Sequence, residues 1–251
     1  MDACCTDTYC QPIQTDMSAK GDWELLEAWK QAWYDAGWQL KIVMLEHAML
    51  MPEYQALVNC VANPDFIGGY NMQCYIRWIA MAGAGGGFMA NYNVFPLNHF
   101  LRHGRELLYN STMTIHQQFV PALMSGVVSE YLRIAKRISE SMHKHMHMQR
   151  YINENPAREL YKNRVPWSDM KALDEIYNHS KRMFIMWFDV VAGEAVLGCE
   201  NFTSANCHFT HRTQAVNFSH RSIKGREATI EIGQIPFSNG SSVFESMASG
   251  L

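Results

Sequence analysis

The sequence has no Cys-x-x-Cys pair, no uninterrupted apolar run of bilayer length, and no basic N-terminal region followed by an apolar one. Each absence removes a class. Without paired cysteines a compact zinc knuckle has no ligands. The longest apolar runs are broken by acids or glycines, so no membrane span is expected. Without a secretory leader, seven cysteines (an odd number) point to a reducing, cytoplasmic setting rather than a disulfide framework. Charge is also scarce. Only 18% of the residues are Asp, Glu, Lys or Arg, and the net charge is −3. That balance gives no global pull toward nucleic acid. The glycine run at residues 83–87 has no following Lys-Ser/Thr, so it is not a phosphate loop. It reads instead as a break or a close helix contact.

What the chain does have is methionine, tryptophan and histidine, at 17, 7 and 11 residues. Residues 1–21 read as a mobile tail. From Asp22, a plausible N-cap, Leu26, Trp29, Trp33, Leu40, Met44, His47 and Met51 recur at helical steps, and this stripe reads as core. A long helix bent near Pro52 follows from that spacing. Residues 71–82 read as a second helix and residues 96–116 as a third. Pro121 begins or kinks a fourth, over residues 122–148. A fifth runs from Trp167 or Ser168 to Gly198, with an apolar second half. Residues 22–198 thus read as a helical bundle, and residues 199–251 as an irregular extension with one alternating, strand-like stretch at 228–235 and a disordered end.

Several constellations could carry chemistry. Residues 42–51 (IVMLEHAMLM) place Glu46 and His47 in an otherwise apolar stretch. Wound as a helix, that stretch leaves them no solvent face, and buried polar groups need partners or a metal. Residues 183–198 repeat the problem with Asp189 and Glu194. His99, His103 and Glu106 stand at i, i+4 and i+7, the spacing of a chelate on one helix face. Glu140-x-x-His143 lies with Arg133, Lys136 and Lys144 and reads as a solvated face. His143, His145 and His147 form a patch able to hold a divalent ion.

Five helices, buried acids, and the segments Met44-Leu-Glu-His-Ala-Met-Leu50 and Cys74-Tyr-Ile-Arg77-Trp-Ile-Ala80 resemble the ferritin-like superfamily. Within it, the segments are most similar to the hydroxylase small (β) subunit of bacterial multicomponent di-iron monooxygenases. The resemblance implies an all-α ferritin-like bundle and a carboxylate-bridged iron site. Glu46 could match the first ligand. The second helix carries Cys74 to Arg77 where Glu-x-x-His is required, and Glu175 and His179 are four apart rather than three.

The sequence therefore leads to a component of a di-iron type oxygenase system acting on small apolar substrates. It would be a divergent iron enzyme or its helical partner subunit, within a homo- or hetero-oligomer. Glu46, His47, Glu194, His99, His103 and Glu106 are the expected metal ligands. The rival is a metal-free helical scaffold that binds other chains through Met- and Trp-rich faces.

Overall fold

The computed structural model describes residues 19–61, 69–97, 107–154, 167–193 and 213–218. Among these the helices are α1 (Ala19–Asp35), α2 (Leu45–Met49), α3 (Glu53–Val61), α4 (Gly69–Gly83), α5 (Val128–Glu154) and α6 (Asp169–His179). The strands are β1 (Gly87–Ala90), β2 (Val94–Pro96), β3 (Thr114–Ile115), β4 (Leu123–Gly126), β5 (Ile185–Met186), β6 (Val190–Ala192) and β7 (Ala215–Asn217). They form two mixed sheets. The four-stranded one has the order β1-β4-β3-β5, antiparallel except for the β3–β5 pair. The three-stranded one has the order β2-β7-β6, with β6 and β7 parallel. Pro96 falls on edge strand β2, where its missing N–H breaks no central ladder.

The expected all-α, ferritin-like bundle is overturned. The fold is mixed α/β. Three expected helices contain strands. The described part of 96–116 holds a 3-10 turn, Tyr109–Ser111, and β3. The stretch 122–148 opens with β4 before α5 begins. The stretch 167–198 is helical only as α6, and its apolar second half supplies β5 and β6. The cause is physical. An apolar run with no clear period suits a buried strand as well as a buried helix, and this one is rich in aromatic and β-branched residues that favour strands. The long first helix is likewise three separate helices. Within 42–51 only α2 is helical. The helix expected at 71–82 is present as α4, and the glycine run does end it.

Helix α4 runs through the larger core. Every residue from Cys74 to Ala82 is buried, as befits a helix apolar nearly all round. It packs against α2, α3, α5 and α6. Gly83 lets α2 approach: a Cβ there would lie 1.8 Å from the His47 carbonyl oxygen. Gly86 serves the other side. Its φ is +73°, and a Cβ would meet the backbone of Gly126 and Val128 at 2.9 Å. Helix α5 is amphipathic in the ordinary sense. Tyr131, Ile134, Ala135, Ile138 and Met142 are buried, while Lys136, Arg137, Glu140 and His143 are exposed.

A buried ion pair ties α4 to α6. The Arg77 guanidinium donates to Asp169 Oδ2, and Trp78 Nε1 donates to the same oxygen at 3.2 Å. Tyr75 donates its hydroxyl to the Trp167 carbonyl at 2.7 Å. Burial, then the Asp169 and Cys74 side chains, push the Tyr75 phenol far above its usual range, so it stays a neutral donor. Arg77 therefore stands where the ferritin-like resemblance requires a metal half-site, and it answers an acid from α6 instead.

Candidate functional site

The four-stranded sheet has two unlike faces, because successive side chains alternate. Met89, Met113, Ile115 and Met124 point into the core shared with α4 and α5. Phe88, Thr114, Ser125 and His116 occupy the opposite face, in the register Phe88↔Ser125↔Thr114. Beside them lies the second core, built by α1 with β2, β6 and β7.

On that face stands a relay of three polar side chains. His116 Nδ1 is 3.0 Å from Asp189 Oδ1, and His116 Nε2 is 3.1 Å from Ser125 Oγ. A carboxylate only accepts, so Nδ1 donates to Asp189 and Nε2 receives the Ser125 hydroxyl. The backbone holds the same groups together. Val190 N–H donates to the His116 carbonyl, and Gln214 N–H to the Asp189 carbonyl, where the chain crosses from one sheet to the other. The order is that of a hydrolase triad. Burial decides against a nucleophile, since Ser125, His116 and Asp189 are each 1% exposed. The relay is a polar pin between two sheets, and Asp189 finds there the partner that an acid in an apolar stretch requires.

Above the relay lies a cleft of about 300 Å3. Its walls include Trp29, Trp33, Trp38 and Phe88, with exposed Gln39 and Lys41 at the rim. The rings touch in series. Trp29–Trp33 centroids are 6.4 Å apart, Trp33–Trp38 5.7 Å and Trp38–Phe88 5.0 Å. Phe88 also lies 6.0 Å from the His116 ring, so it floors the cleft and lids the relay. Trp33 Nε1 donates to the Val94 carbonyl at 2.8 Å, which anchors α1 on β2. Trp29 Nε1 is buried with no acceptor among the described residues. Lys41 Nζ caps the end of α4 by donating to the Ala84 carbonyl at 2.9 Å.

The residues singled out from sequence fare differently. Glu46 is exposed on α2. Half-buried His47 accepts the Met44 N–H through Nδ1 at 3.1 Å, which caps that five-residue helix. His99, His103, Glu106 and Glu194 lie outside the described residues. Among the described residues no three His, Cys, Asp or Glu side chains stand together as a metal site. Glu140 and His143 are exposed, as their charged neighbours predict. The sequence reading missed His116 and Ser125. A lone serine in an apolar strand carries no signal, but Asp189 did call for a donor. Trp29 and Trp33 do belong to a core, and the cleft beside them came from Trp38 and Phe88, which no periodicity joins.

No curated protein and no solved structure matches the chain. Residues 7–182, more than half of its length, match the family described as Domain of unknown function (DUF8765), and the chain belongs to that family.

Proposed function

We propose that the protein binds a small ring compound in the tryptophan-walled cleft, one with an apolar face and hydrogen-bond acceptors at its edge. The observation that carries this is the convergence of three indoles and Phe88 on one cleft whose rim holds Gln39 and Lys41. Aromatic walls favour a flat apolar face. Amide and ammonium donors at the rim favour acceptors. The cleft offers the space of about ten waters, which suits one or two rings.

Iron, oxygenase activity on small apolar substrates and assembly into an oligomer rest on the sequence alone. The bundle that motivated them is not the fold, and four of the six expected ligands lie outside the described residues. Elemental analysis and sedimentation of untagged protein test them directly.

The cleft is tested by tryptophan fluorescence, titrating indole, nucleosides, benzoate and monosaccharides into the full chain. Saturable quenching or a spectral shift is expected from at least one class. Trp38→Ala should weaken it by about tenfold or more, which is 1.4 kcal/mol, and Lys41→Met should weaken ligands that carry an acceptor. No saturable change up to millimolar concentrations, or one indifferent to Trp38→Ala, would overturn the reading.

A further inference from the structure

Outside the cleft, α5 carries a second arrangement of ligating atoms. His143 and His147 are one helical turn apart and both are exposed. Their Nε2 atoms are 3.2 Å apart, with ring centroids at 4.5 Å and planes at 82°. Side chains at i and i+4 share a face, but two histidines there need not aim the same nitrogen at one point. These do.

We propose that His143 and His147 together bind one late first-row divalent cation, such as Zn2+, Ni2+ or Cu2+. The separation is the argument. Imidazole nitrogens sit about 2.0–2.1 Å from such an ion. Two of them subtend about 3.4 Å in tetrahedral geometry and about 2.9 Å when cis in octahedral geometry, by simple trigonometry from that bond length. The observed 3.2 Å falls between these values. Without an ion, the same distance is one N–H···N hydrogen bond, in which one ring donates and the other accepts. Binding replaces that bond. Two water ligands leave the ion, two nitrogen lone pairs take their places, and the proton on the donating Nε2 passes to Nδ1 of its own ring. Neutral rings thus release no net proton.

The neighbours leave the pair free for this role. His145, between them in sequence, faces the other way and stacks on Trp167 with centroids 4.2 Å apart and planes at 14°. Lys144 is drawn to Glu175 at 2.7 Å, and Arg137 to Glu140 at 2.9 Å. Their charges are therefore compensated elsewhere. Imidazole ligands suit Zn, Ni and Cu and disfavour Mg and Ca, which prefer oxygen. Two protein nitrogens leave the remaining positions to water or to a donor from another molecule. The ion would clasp one turn in the second half of α5.

The test uses untagged full-length protein and calorimetric titration with ZnCl2 and NiCl2, with Cu2+ electron paramagnetic resonance as the structural readout. One equivalent should bind with two nitrogens in the Cu2+ coordination sphere. His143→Gln and His147→Gln should each weaken binding by about tenfold or more. His179→Gln, an exposed histidine on α6, should leave it intact. All three sites are exposed, so circular dichroism should show the variants folded. Equal affinity in the wild type and both pair variants, or equal loss in His179→Gln, would overturn the site and mark any binding as diffuse surface chelation.

Discussion

Replacing Arg77 with leucine would isolate the buried ion pair between α4 and α6. Arg77 is 9% exposed and Asp169 is 2% exposed. In Arg77→Leu the carboxylate keeps, among the described residues, the Trp78 N–H at 3.2 Å. An acid left buried after loss of its cation costs about 3–5 kcal/mol. In a domain of this size each kcal/mol lowers Tm by roughly 2–4 °C, so a fall of about 6–20 °C is expected. The second arm removes the charge and keeps the shape. Asp169→Asn still presents an oxygen to Trp78, so Arg77→Leu/Asp169→Asn should recover most of the loss. Urea unfolding followed by tryptophan fluorescence measures both, with m required to stay constant. If the double variant is no more stable than Arg77→Leu, the cost is not that of an uncompensated charge. A single-variant loss under about 1 kcal/mol would also refute the reasoning, because an exposed pair would give that much.

Four further perturbations read other parts of the fold. The Arg133 guanidinium holds the Glu130 carboxyl below its usual range; burial opposes this and the Met113 N–H adds to it. Glu130→Gln should therefore cost stability at neutral pH, and the difference from wild type should close as pH falls below about 4; an equal gap at pH 7 and pH 3 would contradict this. Burial, then Lys171, push the His145 imidazole below its usual range, while Glu175 opposes. The unfolded chain then takes up a proton near pH 6.5 that the folded ring resists, so wild type should lose stability on acidification from about pH 7, and His145→Phe, which keeps the stack on Trp167, should lose less; parallel curves between pH 7 and 5 would refute it. A fluorophosphonate probe should leave Ser125 unlabelled in native protein, and mass-spectrometric detection of the adduct would restore the hydrolase reading. Gly83→Ala places a methyl 1.8 Å from the His47 carbonyl oxygen, and should cost at least about 1–3 kcal/mol in urea unfolding; an unchanged midpoint would mean α2 yields freely.

Residues whose environment is set by their own neighbours were legible in the sequence. The α4 stretch, the glycine break and the solvated face of α5 all follow from local period and charge. What was not legible depended on distant partners. Residues 183–193 look helical because they are apolar without a period, yet they supply strands β5 and β6 because β3 and β7 stand beside them. Glu46 is buried only if residues 42–51 form one continuous helix, and the extended backbone at Met44 breaks that continuity. Asp189 shows the division clearly. Its need for a partner could be read from its neighbours, but the partner, His116, lies 73 residues away.

The placement of β7 has a consequence for how the chain is made. Strand β2, at residues 94–96, pairs with β7, at residues 215–217, and the fourth strand of the larger sheet is β5, at residues 185–186. Synthesis proceeds from the N-terminus, so β2 and the tryptophan face of α1 emerge well before the strands that cover them. The family match ends at residue 182, ahead of β5, β6 and β7. A chain cut there would keep α4 and α5 but leave β2 without its sheet and His116 without Asp189. The matched segment is therefore shorter than the segment that builds the sheets, and pairings this distant in sequence are expected to form late in folding, once their long loops have closed.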